Sequence, residues 1–145
     1  MKTGIFVGTF DPFTIGHASI VRRALPLFDR LIIGIGVNEQ KKCMLTKEQR
    51  LQAITDLYRA EPKIAVKTYD DLAVDFAHRE GAQFIVKGVR SVADFEYERI
   101  QADVNRRIGR VETLLLFAEP ELESISSSMV RELKHFNRDI KEFIP

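Results

Sequence analysis

Short apolar runs recur through this chain at regular intervals, and each is followed by a segment patterned for a helix. Residues 4–8, 31–37, 64–68, 84–86 and 113–117 are all of strand length, and they are continuously apolar rather than alternating. Such runs suit strands covered on both faces, as in a parallel sheet. Between them, Ile20, Val21, Ala24, Leu25 and Phe28 mark a helix face that Pro26 should shorten or kink. Thr46-Lys47-Glu48-Gln49 has the form of a capping box ahead of Leu51, Ile54, Leu57 and Tyr58. Asp70 or Asp71 offers a cap for a helix ending near His78, with Gly81 at its C-terminus. Ala93, Tyr97, Ile100, Val104 and Ile108 form a further stripe stopped by Gly109, and a last helix opens at residues 126–128 and reaches about Phe136. Five strand–helix alternations with right-handed crossovers predict one α/β domain over residues 1–145. Its sheet is Rossmann-like and doubly wound, with about five parallel strands flanked by helices. Ligands of such sheets bind beyond the carboxyl ends of the strands.

Composition narrows the partners. Lys plus Arg is 22 against 21 for Asp plus Glu, a net charge of +1. That lacks the basic excess of a dedicated nucleic-acid or membrane-surface protein, so neither partner is expected and a polyanionic ligand must be met by a local cluster. The single Cys43 excludes an internal disulfide and a Cys-based zinc site. No apolar run approaches the roughly 20 residues of a membrane span, and no signal peptide precedes Asp11-Pro12, so a soluble cytoplasmic chain is expected.

Chemistry-bearing residues gather where the predicted strands end. Gly8-Thr9-Phe10-Asp11-Pro12-Phe13-Thr14-Ile15-Gly16-His17 joins the first strand to the first helix. A glycine at a strand end lets a ligand approach the backbone, and a helix start offers unpaired N–H groups. The same segment reads equally as a plain turn with Thr14 as helix cap and His17 as a first-turn surface residue. Two common phosphate motifs are absent. Gly34-Ile35-Gly36 lacks the third glycine of a dinucleotide fingerprint, and no P-loop occurs. Lys41-Lys42 follows the second strand and Lys87-Gly88-Val89-Arg90 the fourth, while Ser126-Ser127-Ser128 can cap the last helix or cradle a phosphate. His78 and His135 have no ligand-like partner spacing and read as surface or core residues.

Thr14-Ile15-Gly16-His17 resembles the (H/T)xGH signature of the nucleotidyltransferase superfamily. With Gly8-Thr9-Phe10-Asp11-Pro12 before it, the segment is similar to that of phosphopantetheine adenylyltransferases. The resemblance continues through Lys41-Lys42, through residues 87–98 and through Ile125-Ser126-Ser127-Ser128-Met129-Val130-Arg131. It implies transfer of AMP from ATP to 4′-phosphopantetheine, giving dephospho-CoA and pyrophosphate in a step of coenzyme A biosynthesis. It implies His17, Thr9 and Lys41 as catalytic residues. The nucleotide would meet Thr9, Phe10, His17, Gly88, Val89, Arg90 and Glu98, together with Leu122, Glu123, Ser124, Ile125, Ser126, Ser127 and Ser128. The acceptor would meet Thr9, Lys41, Ala73 and Lys87. Mg²⁺ would accompany the triphosphate without a metal site of the chain's own, CoA would act as a feedback inhibitor, and the assembly would be a homohexamer.

The chain departs from the family pattern in three places. Lys87 stands where arginine is usual, Cys43 where proline is expected, and Leu122-Glu123-Ser124 replaces an aromatic Trp-Ser-Phe approach. A sister nucleotidyltransferase acting on nicotinamide mononucleotide or a phospho-alcohol, and a nonenzymatic nucleotide-binding module, are the alternative readings. A class I aminoacyl-tRNA synthetase fails on length, since 145 residues leave no room for tRNA recognition.

Overall fold

A computed structural model describes residues 1–145. Five strands, β1 (Thr3–Gly8), β2 (Arg30–Gly36), β3 (Ile64–Tyr69), β4 (Phe84–Val89) and β5 (Glu112–Phe117), alternate with five helices. The helices are α1 (Ile15–Ala24), α2 (Lys47–Leu57), α3 (Ala73–Arg79), α4 (Val92–Gly109) and α5 (Ser127–His135). All strand pairs are parallel, in the order β3-β2-β1-β4-β5. Chain order therefore reverses at β1, whose carboxyl end opens between β2 on one side and β4 on the other. That switch point is where an open parallel sheet presents a crevice to ligand.

Each sheet face carries its own core. Phe6, Leu31, Ile33, Ile35 and Val86 meet Ile20, Val21 and Ala24 of α1 and Ile54 of α2. Ile5, Ile32 and Ile85 point the other way and meet Val74, Phe76 and Ala77 of α3. The apolar runs of the inner strands are thus explained, since odd and even positions both find a covering layer, whereas the edge strand β3 leaves Lys67 and Thr68 exposed. No helix is long and apolar enough to cross a membrane.

Local signals worked at most helix ends. Pro26 ends α1 at Ala24, and residues 25–27 tighten into a 3-10 turn. Thr46 and Gln49 form the expected capping box. At α3 the expectation fails, because Leu72 occupies the cap position with no side-chain cap and Asp71 pairs instead with Arg79 at 2.8 Å. That bidentate guanidinium pair draws the carboxylate away from the helix start and holds the Asp71 carboxyl below its ordinary value.

Two further corrections concern β4 and α4. The fourth strand does not stop at Val86 but runs to Val89, so Lys87, Gly88 and Val89 belong to the strand rather than following it. The stripe on α4 faces outward: Tyr97 is 63% and Ile108 59% exposed, and Ala93, Ile100 and Val104 are exposed too. What α4 buries instead is Glu98 and Gly109. Gly109 is fixed by close approach, since a Cβ there would stand 2.6 Å from Val74 Cβ. Its carbonyl accepts from His78 Nε2 at 2.6 Å, tying the end of α4 to α3.

Candidate active site

The turn after β1 is held from every side. Phe10 adopts a left-handed backbone, φ 53°, which for a bulky residue costs on the order of 1 kcal/mol or more. Its ring offsets that cost by packing between Phe6 and Phe13, edge-on to His17 at 5.0 Å, and it is only 3% exposed. Phe10 can therefore meet a ligand through its backbone, not by presenting its ring. Asp11 is buried and accepts from the Met44 and Leu45 amides at 2.7 and 2.8 Å, which folds residues 37–46 back over β1. The Asp11 carbonyl accepts from Arg131 at 2.7 Å, and the Pro12 carbonyl from Ser127 at 2.8 Å, so α5 is fastened to the same turn.

His17 does two jobs at once. It is the third helical residue of α1, and its Nδ1 accepts the Thr14 N–H at 2.9 Å while its own N–H bonds Thr14 Oγ1 at 3.4 Å. Because Nδ1 is the acceptor, the proton of the neutral ring sits on Nε2. Burial, and then the nearby Arg90 charge, pull its pKa from 6.5 down to about 4. At neutral pH the residue is thus a neutral imidazole with an Nε2–H donor.

Two cavities meet along β1. The one on the β2 side has about 990 Å³ and is lined by Gly8, Thr9, Lys41, Tyr69, Asp71 and Lys87 among others. In it Lys41 Nζ stands 3.5 Å from Thr9 Oγ1, so residues 32 positions apart converge on one spot. The one on the β4 side has about 390 Å³ and gathers Phe10, His17, Gly88, Val89, Arg90 and Glu98 with Leu122, Ile125, Ser126, Ser127 and Ser128. Val7, Gly8 and Lys87 line both. Lys87 Nζ lies 3.4 Å from Glu98 Oε2, an ion pair by distance whose alignment leaves that buried oxygen without a hydrogen bond. Glu98 thus faces both the cavity and the lysine that divides it from its neighbour.

The serine loop combines both of its readings. Ser126 Oγ caps α5 through the Met129 amide at 3.1 Å, and Ser128 Oγ accepts from Arg131 at 3.1 Å. The side chains are thus occupied within the protein, and of the first-turn amides those of Ser127 and Ser128 are left for a ligand. Three expected residues line neither cavity. Ala73 opens α3 and packs on the second core, Glu123 lies over a shallow groove beside Phe95 and Phe117, and Ser124 is exposed outside both.

Sequence reasoning also passed over Arg50, which is 4% exposed and donates to the Thr9 carbonyl at 2.8 Å and the Gly36 carbonyl at 3.3 Å. Its spacing of four from Ile54 was the available signal, since those two are the buried residues of α2. The role of Asp11 had no comparable mark in the sequence.

A helix-start imidazole beside one cavity, a lysine–threonine pair in the other and a shared wall between them suit in-line transfer between two phosphate-bearing ligands. The cytidylyltransferase-like family model matches residues 5–133. Phosphopantetheine adenylyltransferases from Bacteroides thetaiotaomicron and Phocaeicola vulgatus are 54% and 53% identical over all of this chain and 96% of their own length. The chain belongs to the phosphopantetheine adenylyltransferase family. Among solved structures, a bifunctional NMN adenylyltransferase/ADP ribose pyrophosphatase from Francisella tularensis superposes with a TM-score of 0.74 at 16% identity, covering 99% of this chain and 44% of that one. The same enzyme complexed with AMP and a Mn ion gives 0.70 at 17% identity, with the same coverage. These likenesses show the shared fold of adenylyltransferases, and this chain corresponds to less than half of that bifunctional protein.

Proposed function

We propose that the chain transfers the adenylyl group of ATP to 4′-phosphopantetheine, with ATP in the β4-side cavity and the acceptor in the β2-side cavity. The observation that carries this placement is the shared wall: Gly8 and Lys87 border both cavities, so an acceptor phosphate held by Lys41 and Thr9 faces a triphosphate held beside His17. An acceptor phosphate oxygen forms a bond to the α-phosphorus as the bond to the β-phosphate bridge oxygen breaks, and pyrophosphate leaves. The nucleophile is already an anion, so no general base is required. Catalysis reduces to positioning and to stabilising the charge that spreads over the α-phosphoryl and leaving oxygens.

His17 supplies one such contact as a neutral Nε2–H donor, held in place by its Nδ1 bond to Thr14. Arg90 and the opening amides of α5 supply further positive potential along the nucleotide. Lys87, in the position of a usual arginine, gives a point charge at the seam, with the Glu98 carboxylate 3.4 Å away as its counter-charge.

Mg²⁺ enters this reading as the counter-ion of the nucleotide, where it would neutralise triphosphate charge. The reading takes residues 1–145 as one nucleotidyltransferase domain working in the cytoplasm, where ATP is supplied. CoA joins the acceptor's arm to an adenine nucleotide, and a molecule of that shape bridging both cavities would act as an inhibitor. The reading takes the assembly as a homohexamer, and the outward stripe of Tyr97, Ile100, Val104 and Ile108 offers apolar surface for contact between copies.

The test is pyrophosphate release with Mg²⁺, ATP and 4′-phosphopantetheine, with CTP and nicotinamide mononucleotide as alternative substrates. Turnover with the first pair alone is expected. Turnover with another acceptor would move the chain to a sister activity, and tight ATP binding without any turnover would leave a nucleotide-binding module.

A further inference from the structure

We propose that Arg50 is a positioning residue for the acceptor phosphate, acting through Thr9 and Lys41 rather than by touching substrate; the proposal rests on the acceptor reading of the β2-side cavity. A buried guanidinium without a carboxylate is costly. Arg50 has no ion-pair partner, and its partners are three carbonyl oxygens: Thr9 at 2.8 Å, Gly36 at 3.3 Å and Thr46 at 3.4 Å through Nε. Those carbonyls come from three different places: the turn after β1, the last residue of β2 and the cap of α2. Two of them, Gly36 and Thr46, flank the segment 37–46, which carries Lys41.

Nothing else ties these three places together in the same way. Asp11 holds the middle of that segment through the Met44 and Leu45 amides, and Arg50 holds its two ends and the backbone of Thr9. The result is the 3.5 Å approach of Lys41 Nζ to Thr9 Oγ1. A planar fork suits this task, because it can serve separate acceptors at fixed angles. A lysine ammonium could keep the charge but not that geometry. The nucleotide-side groups, His17 and the start of α5, have no bond to Arg50, so loosening it should be felt in one cavity and not the other.

The experiment compares Arg50→Lys and Arg50→Gln with the unaltered enzyme. It measures KM for 4′-phosphopantetheine and for ATP, kcat, and hydrogen–deuterium exchange across residues 38–46. The expected result is a rise of roughly 10–100-fold in KM for phosphopantetheine in Arg50→Gln, with less in Arg50→Lys and KM for ATP unchanged within about twofold. Exchange across 38–46 should quicken while the core strands keep their protection. Adding Lys41→Ala to Arg50→Gln should raise the acceptor KM little beyond Lys41→Ala alone, since both act on one contact. Equal rises in both KM values, or unchanged exchange across 38–46, would overturn the proposal. Should the unaltered enzyme fail to use phosphopantetheine, the functional reading falls, while the exchange comparison still decides whether Arg50 holds the segment. If Arg50→Gln does not fold, Arg50→Lys carries the same comparison, and unchanged exchange and acceptor KM in it would again overturn the proposal.

Discussion

The two cavities along β1 are built on different plans. The β4-side cavity is assembled from element ends: the start of α1, the last residues of β4 and the start of α5 all face it. Its groups are placed by backbone geometry, and its histidine is held by the cap of its own helix. The β2-side cavity, about 990 Å³ against 390 Å³, takes its lysine from the irregular segment 37–46, which depends on the side chains of Asp11 and Arg50 for its shape. On the proposed placement, this gives a rigid site for the group that reacts and an adaptable one for a long, flexible acceptor. Precision matters most at the reacting centre, which that placement sets beside regular structure.

The sharpest way to break this comparison is His17→Ala. If the β4 side supplies the transition-state contact, kcat should fall by about 10²–10³, a loss of about 3–4 kcal/mol, with the acceptor KM little changed in steady-state pyrophosphate assays. A rise in KM with kcat intact would place His17 in ground-state binding only.

Next in size is a stability effect from the same residue. Its folded pKa of about 4 lies below the unfolded 6.5, so the unfolded chain binds more protons between those values. The stabilisation is complete above about pH 6.5 and is lost as pH falls toward 4, by up to ~3 kcal/mol. Urea unfolding at pH 7 and pH 4.5 should show that loss, and His17→Gln should flatten it.

On the β2 side, Lys41→Ala should raise KM for phosphopantetheine about tenfold and leave that for ATP alone, as an exposed ammonium interacts through solvent. The smallest effect expected is that of Ser126→Ala, about 1 kcal/mol of stability from the lost cap of α5, read by thermal unfolding. If its activity fell more than its stability, the hydroxyl would have a ligand role as well.

The same contrast explains what could be read in advance. The β4-side residues carry signals tied to element ends, such as Thr14 with His17 at capping distance or three serines before a helix, and those signals are local. Pro26 and Thr46 acted where they stand for the same reason. Asp71 did not cap α3, because a guanidinium eight residues away competes for it, and no local pattern states which wins. The α4 stripe has correct helical spacing, but periodicity says only that a face is apolar, not what covers it. Arg50 was hidden because its acceptors are backbone carbonyls 41 and 14 residues away, which no side-chain motif encodes. Ala73, Glu123 and Ser124 entered by family likeness alone, and this backbone turns them aside from both cavities.

The thin partition at β1 has a consequence for how such a protein can diverge. Val7, Gly8 and Lys87 line both cavities, and a Cβ at Gly8 would already press on the Phe10 ring at 2.9 Å. A change there is felt twice, once in each cavity, and cannot enlarge one chamber without intruding on the other. On the proposed placement, new acceptors are more readily accommodated at the outer rim, around Tyr69 and residues 37–46, which border the β2-side cavity alone. Variation across descendants of this chain should therefore be lopsided, rich along that rim and sparse on the strip of backbone that both cavities share.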